Sequence, residues 1–141
     1  MKVGFTGTQK GMTVRQLSKL DGMLRALSAP GPIDEFHHGD CIGADEQFHQ
    51  AVNDPERTII HPPEDNKKRA WCFSNHTLKP KPYIPRNHDI VDATDVLIAT
   101  PKTSYEEMRS GTWATVRYAL SKGKKVIMIY PRDKEGGLEY D

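Results

Sequence analysis

The sequence predicts a single α/β domain with a doubly wound, mostly parallel sheet and helices on both of its faces. Short apolar strands alternate along the chain with segments of helical periodicity. Gly-containing turns follow the first, second and penultimate predicted strands. The last two predicted strands are continuous apolar runs, as expected for strands covered on both faces. This alternation is typical of parallel sheets with right-handed crossovers.

The first strand is predicted at residues 3–5 and is followed by a glycine-containing loop. Thr13 and Gln16 have the spacing of a capping box, which predicts the start of the first helix. Pro30 marks its end. Apolar residues repeat at helical spacing between these signals, and they predict either a core-facing or a dimer-forming face: Val14, Leu17, Leu20, Leu24 and Leu27.

The remaining elements follow in the same alternation. Strands are predicted at 33–36, 58–60, 95–99 and 125–130. Helices are predicted at about 44–52, 87–93 and 112–121. Residues 64–85 are polar and proline-rich, which predicts a long loop with one helical turn at about 67–73. We therefore expect one domain over residues 1–131 and a polar tail without assigned structure over residues 132–141.

The composition limits the possible functions. With 36% hydrophobic and 28% charged residues, the 141-residue chain is typical of a globular protein. The formal net charge of +1 gives no indication of a dedicated nucleic-acid binder. No apolar run approaches the roughly 20 residues of a membrane span, and the immediate strand at the N-terminus does not resemble a signal peptide. Two cysteines without a repeated spacing predict no disulfide framework, so we expect a cytoplasmic protein.

The segment Ser110-Gly111-Thr112 follows a predicted strand and opens a helix. Free N–H groups and the positive end of the helix dipole at such a turn favour a phosphate. The first loop, Thr6-Gly7-Thr8, offers hydroxyls and a close backbone approach, although a tight turn alone would also use these residues. It has neither the G-x-G-x-x-G spacing of a dinucleotide site nor the Gly-Lys-Ser/Thr sequence of a P-loop.

The second turn contains two glycines, Gly39 and Gly43, and two carboxylates, Asp40 and Asp45. The carboxylates are candidates for binding ribose hydroxyls, although Asp45 also suits a helix N-terminus. The adjacent His37 and His38 point apart and no repeated ligand spacing is present, so we predict no metal site from these histidines together with Asp40 and Cys41. The other isolated histidines, His49, His61 and His76, are expected to be surface or cap residues.

Arg86 and Asn87 open a short predicted helix. The Arg86 guanidinium is a candidate phosphate ligand, with a surface salt bridge as the alternative. Trp113 is a candidate for stacking on a base, but its helical spacing with Val116 and Leu120 favours the core.

These stretches, in this order, resemble the SLOG superfamily of Rossmann-like nucleotide-binding proteins, which includes Lonely Guy phosphoribohydrolases, DprA and the small YspA- and YpsA-like proteins. The segment from His38 to Asp45 resembles the H-G-G-A-x-G-A-D motif of the YspA-like branch. Arg86-Asn87 resembles its Arg-Asn pair. Ser110-Gly111-Thr112 stands where Lonely Guy proteins have P-G-G-x-G-T-x-x-E. The resemblance covers residues 3–131 and implies a nucleotide-type ligand and a homodimer or higher homo-oligomer.

The departures from the Lonely Guy pattern concern its catalytic Glu, whose position holds Thr115 here. Arg86 is the candidate for the catalytic Arg of that family. A carboxylate from Asp45, Asp40, Glu106 or Glu107 is the candidate acid or base. Because no acid is clearly positioned, phosphate binding is better supported than N-glycosidic cleavage.

Three functions follow from these residues. We favour a small protein that binds a nucleoside phosphate or an ADP-ribose-like ligand, without a resident cofactor, metal or membrane partner. A nucleoside 5′-monophosphate phosphoribohydrolase is the alternative. Binding of single-stranded DNA is less favoured, although the basic residues at 67–69, 79 and 81 lie near aromatic residues.

Overall fold

Six parallel strands form the centre of the molecule. The structure, a computed structural model, describes residues 1–132; apart from Arg132, the predicted polar tail lies outside these residues. The strands are β1 (Lys2–Gly7), β2 (Glu35–His38), β3 (Thr58–Ile60), β4 (His76–Thr77), β5 (Val96–Thr100) and β6 (Lys125–Met128). The helices are α1 (Val14–Ser28), α2 (Ala44–Val52), α3 (Tyr83–Ala93) and α4 (Gly111–Ser121).

The strand order is β4-β3-β2-β1-β5-β6, and every neighbouring pair is parallel. The chain thus builds the sheet outwards from β1 to β4 and then returns to the other side of β1. In such sheets the crevice at the carboxyl ends of the two strands flanking this reversal binds ligands. Here that crevice lies above β1 and β5, next to the turns singled out in the sequence.

Helices cover both faces of the sheet. Alternate strand residues point to opposite faces, and Leu97 and Ile98 accordingly belong to different core clusters. The Ile98 cluster includes Leu20 of α1 and Phe48 of α2. The Leu97 cluster includes residues of α3 and α4. The predicted α/β class and doubly wound sheet are therefore confirmed.

The start of α1 confirms the capping box. Thr13 accepts a hydrogen bond from the Gln16 amide at 3.2 Å, and the Gln16 side chain accepts one from the Thr13 amide at 3.0 Å. The apolar residues from Leu17 to Leu27 pack in or against the core, whereas Val14 is 84% exposed. The repeat thus describes a core-facing helix.

The middle of the chain differs from the prediction in three elements. The loop predicted over 64–85 contains the short strand β4, which pairs with β3, and a 3-10 turn at Asn66–Lys68 in place of the predicted helical turn. Helix α3 begins at Tyr83 instead of Asn87. Pro85 fits within its first turn because the first amides of a helix have no intrahelical acceptor.

Within residues 1–132, none of the helices has both the length and the apolar character needed to cross a bilayer.

Candidate functional site

A cavity of about 870 Å³ lies at the carboxyl edge of the sheet. Its walls come from the end of β1, the β2–α2 turn, the first turns of α3 and the loop that leads into α4. Five basic and three acidic side chains line it: Lys10, Lys68, Arg86, Lys102, Arg109, Asp45, Asp65 and Glu107. This excess of positive charge favours an anionic ligand.

Most of the sequence-derived candidates converge on this cavity. The candidates that line it come from four separate stretches: Thr6, Gly7, Thr8, Gly39, Asp45, Arg86, Asn87, Glu107, Ser110, Gly111 and Thr112. Asp40 and Gly43 are not among the lining residues. The topology therefore brings together turns that are far apart in the sequence.

The N-terminus of α4 opens into the cavity. Ser110 is the N-cap, and its hydroxyl accepts the Trp113 amide at 3.2 Å. The amides of Gly111 and Thr112 precede this position, and helix geometry gives them no intrahelical acceptor. Apart from its chain neighbours and the backbone of its own helix, no heavy atom lies within 4 Å of the point where a side chain of Gly111 would begin. Backbone donors and empty space therefore occur together at this turn.

Arg86 is buried below the cavity, with 5% of its surface exposed. Its Nη1 donates to the carbonyls of Gly39 and His61, and its Nε donates to the Asn87 side chain at 2.8 Å. Its Nη2 approaches the Cys41 sulfur at 3.7 Å. A surface salt bridge is thus excluded. The guanidinium joins the ends of β2 and β3 to α3, and it lines the cavity with most of its donors already used.

Asp45 lies beside Arg86 and is 6% exposed. Its carboxylate accepts the Cys41 amide at 3.1 Å, and a side chain at Gly39 would contact both Asp45 and Arg86. Burial raises the pKa of Asp45 to about 6, although the positive charge of Arg86 opposes this shift. Asp45 is therefore a carboxyl group that titrates close to neutrality within the cavity wall.

Asp40 and Gly43 shape the β2–α2 turn. Asp40 is fully buried and ion-paired with Arg69 at 3.1 Å, and its carboxylate also accepts the Cys72 amide at 2.9 Å. These contacts occupy the carboxylate proposed for ribose binding. Gly43 has a φ of 90°, and a side chain there would collide with the Gln9 carbonyl. Both residues therefore have clear structural roles outside the cavity lining.

Two solved structures resemble this architecture along nearly the whole chain. One is DNA processing protein A from Helicobacter pylori, described for its single-stranded DNA binding, with a TM-score of 0.66 and 17% identity over 96% of this chain and 67% of that chain. The other is the molybdenum cofactor binding protein from the phototrophic bacterium Rippkaea orientalis, with a TM-score of 0.68 and 22% identity over 93% of this chain and 77% of that chain. This chain shares their Rossmann-like fold. The resemblance to DprA is thus confirmed at the level of the fold.

At the level of sequence, no protein-family model and no curated protein matches the chain.

Four of the six histidines form two pairs on opposite faces of β2. His37 contacts His61 and Glu35, each at 2.8 Å, and His38 contacts His49 at 2.9 Å. Burial lowers the pKa of His61 to about 4 and also lowers the pKa values of His37 and His38. The expectation of isolated surface or cap residues is therefore wrong for His49 and His61, whereas His76 is exposed on β4.

One group of metal-type ligands occurs in the described part of the chain. Nitrogen and sulfur atoms of His38, His49 and Cys72 lie within 4.8 Å of one another. The Asp40 amide donates to His38 Nδ1 at 3.0 Å, so the proton of neutral His38 is on Nε2, the nitrogen that faces His49. A metal on Nε2 would require the opposite tautomer. The group is therefore better described as a hydrogen-bonded cluster.

Trp113 and Thr115, the residues of α4 considered for base stacking and for the catalytic Glu position, are both buried. Trp113 is 8% exposed and packs with Ala99 and Val116, which confirms its place in the core. Thr115 donates its hydroxyl to the Gly111 carbonyl at 2.8 Å. It therefore supplies no acid where Lonely Guy proteins have Glu.

Glu106 and Glu107, the two acids that precede the Gly111 turn, differ in position. Glu106 pairs with Arg117 at 2.8 Å at the surface. Glu107 lines the cavity and accepts the Thr103 hydroxyl at 3.1 Å. Of the two, only Glu107 is placed to contact a ligand in the cavity.

Several cavity residues were not predicted from the sequence. Five are cationic or acidic side chains of loops, two belong to helix α3 and one lies in the β2–α2 turn: Lys10, Asp65, Lys68, Lys102 and Arg109, then Tyr83 and Ile90, then Cys41. Lys102 and Arg109 had a usable signal, because both lie between β5 and the Gly111 turn. Lys68 and Tyr83 reach the cavity only through the path of residues 64–82.

Proposed function

We propose that this protein binds a phosphate-bearing small molecule of the nucleotide type in the cavity and holds it without cleaving it. The observation that carries the proposal is the open N-terminus of α4 inside a cavity with five basic and three acidic side chains. Backbone amides at a helix start, combined with cations, favour a phosphate dianion. The cavity volume lies within the range of small-molecule sites.

The walls also suit a flat ring. Tyr83 is a half-buried aromatic ring in the lining, which the phosphate would not use, whereas Phe5 and Ile90 lie beneath the lining with almost no exposed surface. The two structural neighbours are described as binding a molybdenum cofactor and single-stranded DNA, which supports ligand binding by this fold without specifying the ligand. A nucleoside phosphate combines a ring for Tyr83 with an anion for α4.

The alternative reaction is N-glycosidic cleavage. Asp45, with its pKa raised to about 6, and Glu107 are the two carboxyl groups that the cavity offers as acid or base besides Asp65. Thr115 stands in α4 where Lonely Guy proteins have their catalytic Glu, so this position supplies no carboxylate. Because Arg86 is engaged by backbone carbonyls, we favour binding over cleavage.

The test is incubation with nucleoside monophosphates and ADP-ribose, with binding followed by calorimetry and products by mass spectrometry. We expect at least one ligand to bind and to be recovered intact. Release of free base would replace this proposal with the phosphoribohydrolase, provided that Asp45→Asn or Glu107→Gln abolishes the release. No binding at millimolar concentration would exclude both functions.

A second candidate function, binding of single-stranded DNA, has one specific observation in its favour. Trp71 has a φ of 61° yet is 61% exposed, and hydrogen bonds from Ala70 and Cys72 to Asp40 hold this conformation. A left-handed backbone at a bulky residue costs about 1–3 kcal/mol, and such strain often marks a functional position. Phe73, 70% exposed, follows two residues later.

The surroundings of Trp71 are basic. The Arg69 guanidinium lies 3.8 Å from the Trp71 ring centroid. Residues 64–82, here called the basic aromatic segment, contain five basic and two acidic side chains, whereas the whole chain has a net charge of +1. Exposed aromatic rings among cations are typical of surfaces on which bases stack.

For this second candidate, we expect Trp71 fluorescence to change on addition of an oligothymidylate at low salt. Trp71→Ala and Phe73→Ala should each weaken binding by about tenfold, since stacking contributes about 1–3 kcal/mol per base. Ile84→Ala is the control, because Ile84 is 68% exposed but lies outside the segment. No gel retardation of the oligonucleotide at low salt would remove this candidate.

A further inference from the structure

We propose that Asp45 selects the ligand by accepting a hydroxyl group from it, so that the cavity takes ribonucleotides in preference to 2′,3′-dideoxyribonucleotides. This inference rests on the proposed function and specifies the class of nucleotide. It follows from a comparison of the three carboxylates that line the cavity, Asp45, Asp65 and Glu107.

Two of the three carboxylates already hold a hydroxyl group of the protein itself. Asp65 accepts the Lys67 amide at 3.0 Å and the Tyr83 hydroxyl at 3.4 Å. Glu107 accepts the hydroxyl of a threonine in its own loop at 3.1 Å. Each of these two carboxylates therefore has a hydroxyl partner without a ligand.

Asp45 differs from both in its surroundings. Only 6% of its surface is exposed, whereas Asp65 is exposed and Glu107 is half-buried. Backbone amides of Cys41 and Gly39 donate to its carboxylate, the former at 3.1 Å. In the part of the chain that the structure describes, no side chain donates a hydrogen bond to Asp45 and no cation forms an ion pair with it. Because a carboxylate offers about four acceptor sites, Asp45 keeps acceptor capacity that a group in the cavity can use.

Arg86 determines which kind of donor suits Asp45. Its guanidinium lies next to the carboxylate, and its positive charge disfavours a second cation, such as an ammonium group, at the same place. Burial raises the pKa of Asp45 to about 6, so the carboxyl group is ionised at pH 8 and can only accept hydrogen bonds. A neutral donor, such as a hydroxyl group, meets both conditions.

A phosphate at the start of α4 brings a ribose within reach of Asp45. Asp45 lies in the first turn of α2, which follows β2, whereas α4 follows β5. Strands β2 and β5 are the two neighbours of β1, so their ends lie about 10 Å apart. Hydrogen bonds of about 3 Å at each end account for more than half of this distance. One ribose phosphate therefore bridges the remainder, and the negative charge of Asp45 keeps the phosphate at the α4 end.

The experiment uses the 5′-monophosphates of adenosine, guanosine, cytidine and uridine, each paired with its 2′,3′-dideoxy form, in calorimetric titrations at pH 8. For the pairs that bind, we expect the ribonucleotide to bind at least about tenfold more tightly, as is typical of hydrogen bonds to a charged acceptor. Asp45→Asn retains an oxygen for the Cys41 amide and should reduce this preference to less than about threefold. Asp92→Asn is the matched control, because Asp92 is exposed and does not line the cavity.

Three results would overturn the inference. Equal affinity within every pair would reject Asp45 as a hydroxyl acceptor and leave the proposed function standing. A preference that Asp45→Asn leaves unchanged would assign the ligand's hydroxyl groups to another acceptor. Failure of every probe to bind would reject the proposed function together with this inference.

Discussion

Gly111→Asp should abolish phosphate binding without unfolding the protein. The new carboxylate would stand at the first position of α4, where no heavy atom other than those of the chain neighbours and the helix backbone lies within 4 Å of the added carbon. Two like charges about 4 Å apart repel by about 4 kcal/mol at an effective dielectric constant near 20. We therefore expect affinity for a nucleoside monophosphate to fall by about 100-fold or more.

The stability of this variant should change in the opposite direction to its affinity. An acidic residue in the first turn of a helix is stabilising by about 0.3–1 kcal/mol through the helix dipole. Gly111→Asp should thus have an unchanged or slightly raised melting temperature while its ligand affinity is lost. Calorimetric titration and thermal unfolding of the same preparation measure the two effects.

Gly111→Asn is the matched control because it adds nearly the same volume without the charge. It should retain much more affinity than Gly111→Asp. Equal loss in both variants would indicate that the space itself, and not the helix terminus, is what the ligand needs. Full affinity in a folded Gly111→Asp protein would place the phosphate elsewhere in the cavity.

The sequence was most informative where local chemistry determines structure. Thr13 and Gln16 satisfy each other within one helical turn, so their spacing alone predicts the start of α1. The apolar run that forms β5 is buried at every position, as expected for a central parallel strand. Such signals depend only on neighbouring residues. The alternation of strands and helices then predicts that the Gly-rich turns meet at one edge of the sheet.

The roles that could not be predicted depend on contacts between distant segments. His37 and His61 are 24 residues apart, and no local pattern shows that their rings meet. Asp40 is attractive as a ligand residue, but Arg69 and Cys72 reach it from a segment without helical or strand periodicity. Strand β4 has two exposed residues and hence no apolar alternation to detect.

Arg86 shows the same limit at the candidate site. Its position at the start of a helix predicts a guanidinium directed at a phosphate. The carbonyls of Gly39 and His61 that it binds are 47 and 25 residues away. The sequence therefore identifies Arg86 as important and places it at the cavity, but it does not show that its donors stabilise the cavity floor.

Arg86→Met should destabilise the fold by about 3–5 kcal/mol, the cost of breaking a buried charge interaction. The change preserves most of the side-chain volume, but the Gly39 and His61 carbonyls lose their donor and Asp45 loses the adjacent positive charge. Urea denaturation measures the free energy of unfolding. Lys81→Met is the control, because it removes an exposed ion pair to Asp89 that contributes at most about 1 kcal/mol.

The pH dependence of this loss identifies its cause. Arg86 lowers the pKa of Asp45, so its removal should raise that pKa above about 6. A carboxyl group whose folded-state pKa exceeds its unfolded-state value contributes less stability as the pH rises between the two values. The variant should therefore lose more stability, relative to the unaltered protein, near pH 8 than near pH 5.

The double variant Arg86→Met/Asp45→Asn separates the charge from the carbonyl contacts. Without the Asp45 carboxylate, the destabilisation by Arg86→Met should shrink and lose its pH dependence. This comparison also remains available if the single variant does not fold. A loss below about 1 kcal/mol at both pH values would mean that the guanidinium does not hold the cavity floor together. Arg86 would then be free to serve the ligand, as its place in the sequence first suggested.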